Sequence, residues 1–433
     1  MREGKSAGQR AVRLKPATAA CAALGVLVLG AAGCGSSAPA SSSSKTVTLN
    51  FWSAYNETDG ESAAMAHVVI PRFEKENPGI KVNSIVFPYA DLLQKYLAAA
   101  AAGDPPDLMR SDIAWVPQLA SQGVVLKVSS LPWFSAVAKD ALPGPLQTTV
   151  YQGANYALPL DTNTQALFWN KTDFAAAHIS GPPTTMAQMF ADAVKLTVKS
   201  KHQYGLGVDG TDIWNVVPYI WSQGGALTNA SYSTSAGYLN DSRTISAVQK
   251  LVSLQKAGDI GTDFLGGTGA VSGEEGFPKG QYAMYIDGPW AVSTYAALKP
   301  VPDYGIAQFP TGSAGSFSTV GGEDLVISQG GHNLPAAEKF AQFLESPFAQ
   351  LAMAKVGQMS ALATTAAAEV QATPYYLTFT QQLKTAMDRP VTQNYTKLDA
   401  DFSAALQEVL AGKMSVSAAL TSAAKQYDAQ TGS

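Results

Sequence analysis

The segment TVTLNFWSA alternates apolar and polar positions, placing Val47, Leu49 and Phe51 on one face as a strand does, and it breaks into the polar run YNETDGES. Helical spacing follows in AAMAHVVIPRFEKENPG, where Pro71 is expected to bend the helix and Pro78-Gly79 to stop it. A second strand, IKVNSIVF, leads to an alanine-rich helix, DLLQKYLAAAAAGD, ended by Gly103, and a third strand around PDLMR opens into the loop SDIAW. Strand, helix, strand, helix in this rhythm predicts a largely parallel α/β sheet whose ligand-facing loops leave the carboxyl ends of its strands. A second unit is expected after YALPLDTNTQALFWNK. There TMAQMFADAVKL, TISAVQKLVSLQKAG and the closing KLDADFSAALQEVLAGKMSVSAALTSAAKQY read as helices, and YAMYI, YGIAQF and DLVIS as strands. The chain carries no internal repeat.

Ahead of the first strand the pattern changes. Arg2, Lys5, Arg10, Arg13 and Lys15 stand against a single acid, Glu3, and precede an uncharged stretch from Ala17 to Gly33, the order of a secretory signal. The stretch falls short of the ~20 apolar residues that span a bilayer comfortably, and alanine, glycine and threonine dilute it, which weighs against a permanent transmembrane helix. It ends in Ala31-Ala32-Gly33-Cys34, which resembles a bacterial lipobox with alanine where leucine is commonest. Residues 1–33 are therefore expected to be a lipoprotein signal peptide and Cys34 to carry lipid, with simple secretory cleavage as the plain alternative. Residues 34–45, rich in serine, read as a flexible tether that holds a folded body off a membrane.

Charge and sulfur narrow the classes. The whole chain has 29 basic and 33 acidic residues; without the leader 24 and 32 remain, and no basic run marks a nucleic-acid face. The two cysteines, Cys21 and Cys34, both fall in the leader or at its end, so the body has no thiol for a disulfide. His67, His178, His202 and His332 stand singly, without metal-ligand spacing, and neither a metal nor a cofactor is expected. The 400 residues beyond the leader suit two domains.

The succession FWSAYNETDGE, FEKENPGIKV, GDPPDLMRSDIAW, YALPLDTNTQALFWNKTDF, FPKGQYAMYIDGPW, VGGEDLVIS and AAEKFAQFLESP resembles the extracellular solute-binding proteins of carbohydrate ABC importers, of the maltose-binding type, along nearly all of the mature chain. The lipobox, tether and alanine-rich style resemble those of an actinobacterial member. The resemblance implies an α/β fold of two lobes, the type II periplasmic-binding fold, with three hinge crossovers and a ligand cleft between the lobes. It puts residues 46–158 and 307–356 in the first lobe and 159–306 and 357–433 in the second. Crossovers are expected near Pro159, near Tyr304 to Pro310, and near Gly357 to Ser360. It further implies a monomer on the outer face of the cell membrane that captures an oligosaccharide, a maltodextrin-like α-glucoside being the first choice, and passes it to permease subunits without catalysis. An exported glycoside hydrolase and a receptor for a non-sugar solute are the rival readings.

A sugar presents apolar ring faces and a rim of hydroxyls, so aromatic planes and hydrogen-bonding side chains mark its site. Trp290 in DGPW is the leading platform: Gly288 and Pro289 end a strand and turn the indole outward, and the family uses this tryptophan for stacking. Trp214 in DIWNVV matches an aromatic subsite and shares its segment with Asp212 and Asn215. Trp221, Trp52 and Trp169 are expected in the core. For the rim, the exit loop of the first strand offers Asn56 and Glu57, and that of the third offers Asp112 with Trp115 nearby. Asn163, beside Asp161 in LDTNTQ, matches a family contact position. Glu323 follows Gly321 and Gly322, which let backbone approach a ligand, and Arg389 stands where the family brings a late polar group. One of Glu274 and Glu275 is expected to reach the sugar. Each carboxylate has a helix cap or a surface charge as its plain alternative.

Overall fold

The computed structural model describes residues 46–55, 60–266, 270–298 and 300–432. The leader, the tether with Cys34, and the candidates Asn56 and Glu57 lie outside the described residues. Among the described residues no helix is long and apolar enough to cross a membrane.

The first sheet has five strands in the order Ile80–Val86, Val47–Ser53, Leu108–Asp112, Glu323–Ile327, Leu158–Pro159. The first three run parallel, Glu323–Ile327 runs antiparallel to them, and Leu158–Pro159 pairs antiparallel with it and so shares the direction of the first three. Period-two alternation serves two cores at once. Leu108, Leu325 and Ile327 join Phe51, Phe73 and Phe340 on one face, while Met109 and Val326 join Leu92, Tyr96 and Leu119 on the other. The chain is helical from Glu61 to Glu76, and its turn Met65–Val69 widens into a π-helix just before Pro71. That widening re-registers the carbonyls that a proline without an N–H cannot serve. The helix Tyr89–Ala101 ends before Gly103, whose φ of 78° no β-carbon opposes.

The second sheet is built on Tyr304–Ala307, Ala166–Asn170 and Met284–Asp287, paired antiparallel in that order. Tyr204 and Gly207 bridge in parallel to Tyr282 and Tyr285, and Leu206 bridges to Ile260, which widens it. Again the strands alternate. Leu167, Met284 and Ile286 face a core made with the helices Met186–Leu196, Ile213–Ser222, Ser242–Ala257, Tyr395–Leu410 and Val416–Thr431, while Phe168 and Tyr285 face an aromatic core with Phe277, Tyr295, Tyr376 and Phe379. The last helical run is two helices, because Gly412 turns at φ 75° between them. Trp221 is in the core, but Trp52 and Trp169, expected there too, are partly exposed at core edges.

Between the two sheets lies a third, of three short strands: Val320–Gly321, Asp161–Thr164 and Met359–Ser360. Each is continuous with the first sheet's unit at one end and the second's at the other. The passage expected near Tyr304 to Pro310 lies later. Tyr304–Ala307 is registered against Leu167–Asn170, and Phe309 and Phe317 pack with the second core, so residues 307–319 stay there until Glu323 pairs with Asp112.

The third passage is held by buried polar groups. Gln350 donates to Leu160 O at 2.7 Å and accepts from the Ser360 hydroxyl at 2.7 Å, which ties the first passage to the third. The Ser360 N–H donates to Glu369 Oε2 at 2.6 Å, and burial pushes the Glu369 carboxyl up to about 7. A carboxyl raised on folding stabilises below its unfolded pKa, and that stability is lost as pH rises through the folded value. Between pH ~4.5 and ~7.5 the protein should therefore lose on the order of 2–3 kcal/mol through this group. Glu369→Gln, which keeps an acceptor and carries no charge, should flatten that slope and melt higher than wild type at pH 8. Melting curves across this range check it; an unchanged slope would mean that Glu369 does not titrate there.

Candidate functional site

A cleft of about 620 Å³ opens where the two sheets meet the connecting strands. Of the residues singled out from the sequence, Asp112, Trp115, Asn163, Trp214, Trp290, Gly322, Glu323 and Arg389 all line it. The parallel strands of the first sheet point their carboxyl ends at it and the antiparallel Glu323–Ile327 its amino end, while the helix Ile213–Ser222 and the strand-to-helix corner that carries Trp290 face it from the second.

Trp290 is the first residue of the helix Trp290–Ala297, three residues past the end of the strand Met284–Asp287. Its ring lies over Gly288, where a β-carbon would sit 2.1 Å from the indole, and its Nε1 donates to Glu274 Oε1 at 2.9 Å. Trp214 stands in the first turn of a helix capped by Asp212, which accepts from the Asn215 N–H at 3.2 Å. The two indoles are 6.3 Å apart, inclined at 31°, and both are partly exposed. Trp115 is different: it is buried, with Tyr89 5.0 Å away across its ring.

Two buried arginines organise the polar side. Arg389 Nη2 reaches Asp112 Oδ1 at 2.8 Å, and its guanidinium lies 5.3 Å from the Trp214 ring and 5.5 Å from Tyr395. Asp112 also accepts from the Ala114 N–H at 2.7 Å and from the Tyr89 hydroxyl at 2.8 Å, so both of its oxygens are engaged within the protein. Arg110 Nη2 lies 2.7 Å from Glu323 Oε2, 3.6 Å from Asp161 Oδ2 and 2.7 Å from Gln358 Oε1, and its plane rests 4.4 Å from the Tyr55 ring. Gln358 in turn donates to Glu61.

The wall on the second-lobe side is acidic. Glu274, Asp212 and Asp399 line the cleft without an ion-pair partner among the described residues, and Asp209 and Asp287 lie behind them. Burial raises the carboxyls of Glu274, Asp212 and Asp287, and the neighbouring Glu274 charge pushes Asp287 further. Asp399 is pushed up to about 7 by burial and by Asp212, although it accepts from the Ile213 N–H at 2.6 Å.

The pair of glutamates is resolved: Glu274 lines the cleft, while Glu275 is exposed and lies 3.7 Å from Lys279. The two glycines line the cleft and are also required by packing. A β-carbon on Gly321 would meet Asn163 Oδ1 at 2.0 Å and the Trp214 ring at 2.6 Å, and one on Gly322, at φ 129°, would meet Asp161 O at 2.5 Å. They let the connecting strand lie against its neighbour and the indole. Sequence reasoning missed Arg110, Tyr89, Gln358, Tyr395 and Asp399 as lining residues. Arg110 carried a usable signal, an arginine closing the apolar strand PDLMR just before a ligand-facing exit loop.

Residues 56–351 match the family model of bacterial extracellular solute-binding proteins. A protein of Brucella abortus (strain 2308), named only as a binding protein, is 28% identical over 374 residues, which cover 82% of this chain and 87% of that one. The galactooligosaccharide-binding protein of Bacillus subtilis (strain 168) is 25% identical over 330 residues, 75% of this chain and 74% of its own. Among solved structures, the GacH receptor of Streptomyces glaucescens, seen unliganded and in complex with acarbose, is similar with a TM-score of 0.80 at 26% identity, over 89% of this chain and 99% of that one. The fold of two α/β lobes, three connecting strands and a cleft at their junction is thus similar to that of a solved receptor along nearly its whole length, and the chain belongs to the family of bacterial extracellular solute-binding proteins.

Proposed function

We propose that this protein captures an oligosaccharide in the cleft between its lobes and delivers it to the membrane permease of an ABC importer. The observation that carries the reading is the pair of partly exposed indoles, Trp214 and Trp290, set among carboxylates and arginines in one cleft. Indole faces suit the C–H patches of sugar rings, and the polar rim suits their hydroxyls. Trp290, Trp214, Asn163, Glu323 and Glu274 are the proposed contacts, Asn56 and Glu57, outside the described residues, are proposed with them, and Asp112, Trp115 and Arg389 shape the site around them. An α-linked gluco-oligosaccharide of the maltodextrin kind is the proposed ligand, supported by the likeness to a receptor that takes acarbose. The galactooligosaccharide-binding relative supports the other sugar class to be tried. The protein works as a monomer on the outer face of the cell membrane, held by lipid on Cys34, and does no chemistry of its own; relatives that are binding proteins support this over a hydrolase.

Titration with maltotriose and with a galacto-oligosaccharide tests the reading. The cognate sugar should bind with a Kd on the order of micromolar, about −8 kcal/mol, and be recovered intact. Shortened products after long incubation with pure protein would make it a hydrolase.

Trp290→Ala separates a platform from a core residue. If the ring covers on the order of 100 Å² of sugar, its loss should cost about 2.5 kcal/mol of affinity, more than tenfold, with Trp290→Phe recovering part of it. A melting curve of the sugar-free variant decides the alternative: a fall of several degrees with affinity intact would assign Trp290 to packing.

The anchor has its own test. In a Gram-positive host the protein should partition with membranes, and Cys34→Ala should release it or block its processing. A Cys34→Ala protein that is cleaved normally and stays on the membrane would overturn the lipid anchor.

A further inference from the structure

We infer that Arg110 is a positioning residue that couples the contents of the cleft to the angle between the lobes, an inference that rests on the receptor reading above. Its side chain is 5% exposed in the central strand Leu108–Asp112 of the first sheet, yet it lines the cleft. From there one guanidinium meets every passage between the lobes. Asp161 belongs to the first, Glu323 follows the second directly, and Gln358 precedes the third strand by one residue.

Glu323 is registered against Asp112 in the same sheet and moves with Arg110, whereas a lobe rotation turns the first and third passages relative to that strand, so the contacts to Asp161 and Gln358 cannot both keep their lengths as the angle changes. Buried charge-assisted contacts are costly to stretch, because a partner left behind keeps its desolvation penalty. The hub therefore favours particular lobe angles over intermediate ones. The Arg110 Nε–H finds no acceptor among the described residues. That donor is buried, but the residue lines the cleft. A ligand hydroxyl that accepts from the cleft-facing edge of the guanidinium would add its interaction to the group that already holds the three passages, and differential contact of this kind is what lets a ligand shift a lobe equilibrium. Arg389 lacks this reach, being ion-paired among the described residues to Asp112 alone. Lysine could not replace Arg110, since a single ammonium lacks the planar fork that serves several acceptors at once.

The test uses small-angle scattering and calorimetry on the mature protein, with maltotriose as the probe sugar, for wild type, Arg110→Lys and the milder Gln358→Ala. The variants should give a larger radius of gyration than wild type without sugar. Arg110→Lys should bind maltotriose roughly tenfold more weakly and contract incompletely at saturation. Gln358→Ala, which frees only the third passage, should shift the same way by less. Sugar-free scattering curves of Arg110→Lys that superimpose on wild type, with an unchanged contraction and only a lower melting temperature, would reduce Arg110 to a structural brace and overturn the inference. If wild type itself neither binds maltotriose nor contracts with any sugar of a panel, the receptor reading fails instead, and the sugar-free curves alone decide the role of Arg110 at the hinge.

Discussion

The pairing of Arg110 with Glu323 across 2.7 Å is the constraint on which the middle of the molecule depends. Both groups are taken largely out of water, and an ion so buried costs several kcal/mol unless its hydrogen-bonding capacity is met. The sequence meets part of it from separate places: Gln358 accepts from Nη2, Asp161 stands 3.6 Å from the same nitrogen, and the Tyr55 ring covers the guanidinium face, while the Nε–H has no acceptor among the described residues. Breaking such a pair by removing one partner typically costs about 3–5 kcal/mol, because the other charge stays behind. Since the partners sit on different passages of the chain, one electrostatic requirement sets the relative positions of all three connecting strands, and with them the floor of the cleft.

Glycine makes that floor thin enough to work. Gly321 and Gly322 bring the second connecting strand within contact of the first and of Trp214, where any side chain would collide with Asn163 or with the Asp161 backbone. Trp290 is seated the same way, over Gly288 and against Gly357, whose β-carbon would lie 2.5 Å from the Trp290 Cα. Both indoles therefore rest on glycines at or beside the connecting strands. The aromatic pair is positioned by the same segments that join the lobes, so its geometry and the hinge geometry are one problem.

Much of this was legible in the chain. The strand Val47–Ser53, the helix Tyr89–Ala101 and the helix Met186–Leu196 follow from periodicity and stop signals, because one buried face dictates the spacing. The strand at Tyr304 was legible too, but not the sheet it joins; alternation reports burial, and pairing with Leu167–Asn170 is a contact across more than a hundred residues that no local pattern encodes. In the cleft, Trp214, Trp290, Asn163 and Glu323 were legible through a resemblance and through their turn contexts. The pairing of Asp112 with Arg389 was not, since each residue has a sound local reading as a free contact, and only the fold brings them to 2.8 Å. Gln358 and Tyr89 were invisible because neither residue type nor spacing sets them apart from surface positions.

The two sides of the cleft differ in how their charges are balanced. Both arginines are matched by carboxylates close by, whereas Glu274, Asp212 and Asp399 have hydrogen bonds from Trp290, Asn215 and Ile213 but no cation within ion-pair distance among the described residues. A hydrogen bond offsets only part of the cost of a buried charge, which is why burial lifts all three carboxyls and brings Asp399 to about 7. Hydration would lower that cost and favour ionisation; covering the wall would raise it and favour protonation. Any movement of the lobes that changes the exposure of this wall must therefore change its proton content, and by the same linkage pH must bias the movement.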